Sequence, residues 1–148
     1  MATQPTQVDI VQTTVNERII AILKENGLPY SDLDDSTMLF GAFDEKTLAG
    51  IAGIEFYGSF VLLRSICATP GYRNRGVGTA LVKHLLSLAA SKGAKEDYLL
   101  TTSTSGFFKK FGFFEIKRVD VDQDVRACRQ FSSTCPATAI VMTKKFFS

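Results

Sequence analysis

Leu62-Leu-Arg-Ser-Ile-Cys-Ala-Thr-Pro-Gly-Tyr-Arg-Asn-Arg-Gly-Val-Gly-Thr-Ala-Leu-Val82 runs from an apolar strand through a basic, glycine-containing loop into the start of a helix. The strand begins at Phe60 and stops at Thr69-Pro70-Gly71, where proline and glycine break the extended run. From Gly76 to about Ser91, Val77, Ala80, Leu81, Leu85 and Leu88 form one apolar stripe, closed by Lys92-Gly93. The first turn of such a helix has backbone N–H groups without intrahelical partners and the positive end of the dipole. Gly76 and Gly78 remove side chains that would keep a diphosphate away, and Arg73 and Arg75 add charge at the rim. Glycines before a helix also serve turns and close packing, so the G-x-G pattern alone leaves both readings open. Two familiar phosphate loops are excluded. A Walker A loop ends in Gly-Lys-Ser/Thr, whereas this one ends Gly76-Val-Gly-Thr-Ala, and Leu81 stands where a dinucleotide fingerprint has its third glycine.

Upstream of this segment, Thr14 with Glu17 fits a capping box. Val15, Ile19, Ile22 and Leu23 then recur at helical spacing until Lys24-Glu25-Asn26-Gly27. Pro29 and the acidic Asp32, Asp34 and Asp35 mark a loop, and Met38 to Phe43 and Leu48 to Tyr57 read as a hairpin turning at Asp44-Glu45-Lys46. Downstream, Tyr98 to Thr102 reads as a strand, Ser103 to Phe111 as a short helix broken by Gly112, and Phe113 to Val119 as another strand. Ala137 to Phe147 is expected to close the sheet as its last strand, exposed enough to support a homodimer. A meander feeding alternating helices and strands predicts an α/β (α+β) fold, a mixed central β-sheet flanked by helices, in a single domain over residues 1–148.

At 148 residues, 45% hydrophobic and 22% charged, the chain has the composition of one globular core, not of a disordered or fibrous protein. A formal net charge of +2 is too small for a protein that coats nucleic acid or anionic lipid, so neither a nucleic-acid nor a membrane partner is expected. No apolar run reaches the length of a membrane span, and the polar Met1-Ala-Thr-Gln-Pro-Thr-Gln start is unlike a secretory signal. A cytoplasmic location is expected. Cys67, Cys128 and Cys135 are odd in number and without C-x-x-C spacing, and His84 is the one histidine, which argues against a disulfide framework or a metal site.

Arg73-x-x-Gly76-x-Gly78, after a strand ending at Pro70 and before Ala80-Leu81-Val82, resembles the acetyl-CoA-binding motif of the GNAT superfamily of N-acetyltransferases. Phe107-Phe108-Lys109-Lys110-Phe111-Gly112-Phe113 is similar to that family's aromatic-x-x-x-Gly-Phe segment, so the likeness spans residues 40 to 115. A narrower similarity involves Glu55, Leu62 to Ser65, Leu99 to Thr102 and Gln130 to Ala139 with its Cys-Pro-x-x-Ala tail. It points to small acetyltransferases associated with arsenic-resistance operons and resembling N-acetylglutamate synthases.

The resemblance implies the GNAT fold, acetyl-CoA as cosubstrate and no metal. It also implies direct attack, in a ternary complex, by the primary amine of a small, amino-acid-like, carboxylate-bearing acceptor. The backbone of Ile66, Cys67 and Ala68 would pair with the pantetheine arm, while Arg73, Asn74, Arg75, Gly76, Val77, Gly78 and Thr79 would hold the diphosphate. Phe107 and Phe108 would wall the arm. Phe108 also stands where the family usually has a tyrosine acid, which leaves the leaving thiolate to water. Cys135 is the less favoured substitute acid.

Glu55 is the candidate base, against the alternative of a solvated strand carboxylate. Arg64 interrupts an apolar strand and needs a partner, either the acceptor carboxylate in a bidentate grip or an internal pair with Glu55 or Asp97. Ser65, Thr101 and Thr102 are candidate acceptor contacts, His84 reads as an edge residue of the long helix, and Lys144-Lys145 as a solvated strand end. Two other functions compete: a non-catalytic acyl-CoA-binding or sensing module, prompted by Phe108, and a protein-lysine acetyltransferase.

Overall fold

The computed structural model describes residues 7–28, 30, 31, 33, 36–101, 104–121 and 139–145. In chain order the elements are β1 (Asp9–Thr13), α1 (Glu17–Glu25), β2 (Thr37–Asp44), β3 (Thr47–Tyr57), β4 (Phe60–Ala68), α2 (Val77–Ser91), β5 (Glu96–Thr101), α3 (Ser105–Lys109), β6 (Phe114–Ile116), a 3-10 turn (Arg118–Asp120) and β7 (Ile140–Lys145). The strands form one seven-stranded sheet in the order β1-β2-β3-β4-β5-β7-β6. Every neighbouring pair is antiparallel except β4 and β5. A parallel pair requires a crossover, and α2 provides it. The mixed sheet with flanking helices is therefore present as expected.

Side chains alternate across the sheet and sort into two layers. One face meets α2: Ala49, Ala52, Ile54, Val61, Leu63, Leu99 and Met142 pack with Val77, Leu81, Val82 and Leu85. On the other face Ile19, Ile22 and Leu23 of α1 cover Leu39, Leu48 and Ile51, and Leu62, Tyr98, Val121 and Val141 form a separate cluster. Helix α2 sits close because Gly50 leaves room for it. A Cβ there would stand 2.7 Å from Val77 Cγ1, 2.8 Å from the Cys67 carbonyl oxygen and 3.0 Å from Leu81 Cδ1. Gly50→Ala is thus expected to destabilise the fold by about 1–3 kcal/mol, the usual cost of overpacking. A urea midpoint equal to the parent's would refute the close approach.

Four sequence expectations change. The cap of α1 is Asn16, whose side chain accepts from the Ile19 N–H at 2.9 Å; Thr14 lies upstream of the helix and Glu17 begins it. The polar N-terminal stretch holds β1, which pairs with β2 from Asp9↔Phe43 to Thr13↔Leu39. Its period was masked because an edge strand needs few apolar residues. The last strand is not exposed: β7 lies between β5 and β6, so the sheet edges are β1 and β6 and the argument for a dimer along the final strand falls. The run Ile140-Val141-Met142 explains the choice, since an interior position buries Val141 on one face and Met142 on the other. Finally, Lys144 is half-buried rather than a solvated end, its Nζ only 2.7 Å from where a Cβ on Gly112 would stand. Gly112 adopts φ 93°, a conformation open to glycine.

Asp97 of β5 is fully buried, and neither carboxylate oxygen has a hydrogen-bond partner among the described residues. It lies opposite Lys144 in the β5–β7 register. Burial pushes its carboxyl from the ordinary 3.8 up to about 8, opposed by the charge of Lys144 and reinforced by that of Glu96. The native state therefore keeps a proton that the unfolded chain has lost. Between the two values the unfolded state binds fewer protons, so stability falls as pH rises, by up to about 1.4 kcal/mol per pH unit. Asp97→Asn should remove this slope and raise the melting temperature relative to the parent more at pH 8 than at pH 5. Parallel melting profiles for the two proteins would contradict it.

Candidate active site

The site begins where two strands part. Strands β4 and β5 pair from Phe60↔Glu96 to Leu63↔Leu99, and no pairing between them continues past that point among the described residues. On the other side of β4 the register passes from Gly53↔Arg64 to Ile51↔Cys67, so Ser65 and Ile66 together oppose Ala52. This is a β-bulge, and Ser65 has φ 60° within it. An extra residue bends the strand that carries it. The bend leaves the β5-facing backbone edge of Ile66, Cys67 and Ala68 without a strand partner among the described residues, a template for an extended ligand.

Beyond Ala68 the chain is pinned before it reaches α2. Thr69 donates from Oγ1 to the Leu48 and Ala49 carbonyls at 3.0 and 3.2 Å, and its N–H to Ala49 at 2.8 Å. The Tyr72 hydroxyl donates to Asp44 Oδ2 at 2.8 Å. The loop then turns through Gly71, Asn74 and Gly76, with φ of 91°, 62° and 82°. Gly76 is the N-cap of α2 and supplies no side-chain cap. The first-turn N–H groups of Val77, Gly78 and Thr79 thus lie at the positive end of a 15-residue helix, open to an anion. Arg75 Nη1 donates to the Gly71 carbonyl at 3.1 Å with its guanidinium 4.7 Å from the Tyr72 ring centre. Arg73 Nη2 turns toward α1 and donates to Asn26 Oδ1 at 3.1 Å. Both arginines are exposed, so the loop carries two cations at the helix mouth.

Across that mouth stands α3. A Cβ on Gly78 would lie 3.4 Å from Phe107 Cζ, so the first turn of α2 and the half-buried Phe107 meet in ordinary contact. A bare strand edge, an uncapped helix start and an aromatic wall thus surround one wedge, and they fit an extended thioester arm ending in a diphosphate. A family model for the acetyltransferase (GNAT) family matches residues 11–113, which span all of these parts. The chain belongs to that family.

Related proteins agree. The chain is 31% identical over 97 residues to an uncharacterised N-acetyltransferase of Chlorobaculum tepidum, covering 64% of this chain and 62% of that protein. Among solved structures, N-acetylglutamate synthase from Neisseria gonorrhoeae, complexed with coenzyme A and N-acetyl-glutamate, superimposes with a TM-score of 0.76 at 16% identity. The match covers 98% of this chain and 36% of that one. Rv2747 from Mycobacterium tuberculosis, in complex with CoA and NLQ, gives a TM-score of 0.64 at 19% identity over 74% and 76% of the two chains. At these identities the structural matches speak for the fold. The matched stretch covers less than two thirds of the Chlorobaculum tepidum protein's length.

In this GNAT chain Glu55 and Arg64, the two charged candidates of the sequence, lie on the sheet face opposite α2. Glu55 and Arg64 are 5% and 3% exposed, and Arg64 Nη1 donates to Glu55 Oε2 at 3.1 Å. The internal pair was one of the two partners open to Arg64, and Glu55 is not a solvated carboxylate. Glu55 also accepts from the Thr37 hydroxyl and, through Oε1, from the Tyr57 hydroxyl at 2.5 Å. Arg64 Nε donates to Ser65 Oγ at 3.3 Å. Thr37 and Tyr57 are missing from the sequence reading. Tyr57 was visible as the same-face neighbour of Glu55 two residues on, while Thr37 appears only through its register opposite Glu55.

Other candidates make contacts of their own or lie outside the described residues. Thr101 Oγ1 bonds Thr104 Oγ1 at 2.6 Å and accepts the Thr104 N–H at 3.0 Å, tying β5 to the start of α3. Phe108 is buried, with ring centres 5.1 Å from Phe107 and 6.0 Å from Phe113, so it supports the wall formed by Phe107 from behind. Burial pushes the Cys67 thiol up to about 12, against the charge of Arg73 and a hydrogen bond from the Ile51 backbone. Cys67 is thus a neutral packing group at ordinary pH. Thr102, Cys128 and the Gln130 to Thr138 tail with Cys135 lie outside the described residues. Reversing the loop charge with Arg73→Glu should raise the Kd for coenzyme A by roughly tenfold. The effect should shrink with added salt. Titration calorimetry showing unchanged affinity would remove the diphosphate from this loop.

Proposed function

We propose that this acetyltransferase moves the acetyl group of acetyl-CoA to the primary amine of a small acceptor bearing a carboxylate, such as an α-amino acid, by direct attack. The Arg64–Glu55 pair carries the reading: Arg64 immediately precedes the bulge where the wedge opens, and its Nη1 lies 3.1 Å from Glu55 Oε2. An α-amino acid presents the same two charges in opposite sense, carboxylate toward the guanidinium and ammonium toward the carboxylate. The pair is 5% and 3% exposed, so the acceptor has to uncover it on approach. Binding of N-acetyl-glutamate by the fold neighbour from Neisseria gonorrhoeae supports the same acceptor class.

In this reading the β5-facing edge of Ile66 to Ala68 aligns the thioester arm, and a backbone N–H there polarises the reacting carbonyl. The α2 first turn with the Arg73 to Thr79 loop holds the diphosphate. Near neutral pH about nine in ten α-ammonium groups keep their proton, so one has to leave before attack. Glu55 receives it through water. The amine nitrogen then bonds the acetyl carbon, the carbon–sulfur bond breaks, and the nitrogen's second proton passes through water to the departing thiolate, with Phe108 in the place of a tyrosine donor. Ser65, beside Arg64, remains a candidate acceptor contact, as does Thr102 by sequence alone, and a cytoplasmic location goes with this use of acetyl-CoA.

The test is thiol release from acetyl-CoA with a panel of amino acids, the corresponding amines lacking the carboxylate, and a lysine peptide. Release is expected with the carboxylate-bearing amines. Glu55→Gln should lower turnover about a hundredfold while coenzyme A affinity stays within about twofold. A second reading, a non-catalytic acyl-CoA sensor, is favoured by Phe108 alone. Tight coenzyme A binding without release across the panel would establish it, and release with the peptide alone would make the protein a lysine acetyltransferase.

A further inference from the structure

We propose that Thr37 and Tyr57 are positioning residues of the acceptor site: their hydroxyls hold Glu55 in the orientation that fixes the Arg64 guanidinium toward the bulge at Ser65. The proposal rests on the reading that the Arg64–Glu55 pair receives the acceptor.

Four strand positions build the network. Thr37 of β2 is the register partner of Glu55, and Tyr57 lies two residues further along β3 on the same face. Gly53, also on that face, is opposite Arg64. A Cβ on Gly53 would stand 3.3 Å from Arg64 Cγ, so the missing side chain gives the arginine stem its path back over β3 to Glu55. Taking two opposite charges out of water is costly unless further hydrogen bonds satisfy them. Here the hydroxyls supply those bonds to the carboxylate.

They also set the pose. A guanidinium meeting a carboxylate by itself settles into two parallel N–H···O bonds that use both oxygens. In this protein Tyr57 holds Oε1 at 2.5 Å, Thr37 donates to Oε2, and Arg64 reaches Oε2 through Nη1 at 3.1 Å. Arg64 then has Nε aimed forward along β4 at Ser65 Oγ, 3.3 Å away, in the bulge that opens the wedge. Without the Tyr57 hydroxyl, Oε1 becomes open to the guanidinium, which is drawn back along β3 and away from Ser65. Without the Thr37 hydroxyl the carboxylate loses the donor that holds Oε2, with the same result. Neither residue belongs to the bare edge of β4, so cosubstrate binding should be spared.

The experiment compares Tyr57→Phe, Thr37→Val and Thr37→Ser with the parent, using two readouts. The first is thiol release with the best acceptor of the amino-acid panel: KM for that acceptor should rise about five- to tenfold in the Phe and Val variants, more than any fall in kcat, with coenzyme A affinity within about twofold. The second needs no acceptor. The Arg64 Nε–H signal in a nitrogen–proton correlation spectrum, assigned by its loss in Arg64→Lys, should move in both variants and keep its parent position in Thr37→Ser. A merely structural role would lower the melting temperature and coenzyme A affinity together without moving KM against kcat. If the native protein releases no thiol with any panel member, the acceptor reading has failed, and the Arg64 signal alone decides the positioning. An Arg64 signal unmoved in both variants overturns the proposal. So does a Thr37→Ser protein as perturbed as Thr37→Val.

Discussion

The constraint on which the rest depends is the bulge at Ser65. With Ser65 and Ile66 set against Ala52, β4 keeps its ladder with β3 but leaves its ladder with β5 after Leu63↔Leu99. A left-handed φ of 60° at a serine is sparsely populated, and it persists where the surroundings over-determine it. Antiparallel pairing with β3 on both sides of the bulge does so here. The outcome is a backbone edge inside the sheet that has no strand partner among the described residues. In an ordinary sheet such an edge would be a defect, whereas an extended ligand could pair with it.

The two sheet faces then separate two kinds of charge. On one, α2 is drawn close by Gly50 and its uncapped N-terminus meets the loop from Arg73 to Gly76, which is pinned through Thr69 and Tyr72. On the other, between the apolar patch beneath α1 and the patch around Tyr98, lies the ion pair of Arg64 and Glu55. The strand β4 connects them, since Arg64 precedes the bulge and Ile66 to Ala68 follow it. In the proposed reaction this keeps the phosphate-binding and acceptor-binding groups on opposite sides of β4, so the anionic cosubstrate would not compete for Arg64.

Much of this was legible in the chain. The stripe from Val77 to Leu88 and the turn glycines of the loop are local properties, and the structure places α2 and the Gly76 cap where they predict. The readings that failed involved partners distant in sequence. Asn16 outcompetes Thr14 as a cap because the helix starts later, at Glu17, once β1 has formed. A terminal apolar run looks like an edge until β6 is seen to flank it. Lys144 reads as solvated until Gly112 and Asp97 are found beside it.

By itself, the order of residues determined the helix α2 with its glycine-containing entry and the presence of a carboxylate on β3 and a guanidinium on β4, because backbone conformation and charge are carried by contiguous residues. Only the tertiary structure decided that Glu55 and Arg64 face each other, that two hydroxyls stand behind Glu55, and that Thr101 bonds Thr104 at the start of α3. The physical reason is register: one residue of slip between β2, β3 and β4 would turn Thr37, Glu55 and Arg64 to the opposite face. That register is set by packing on both sides of the sheet, which no stretch of sequence states alone.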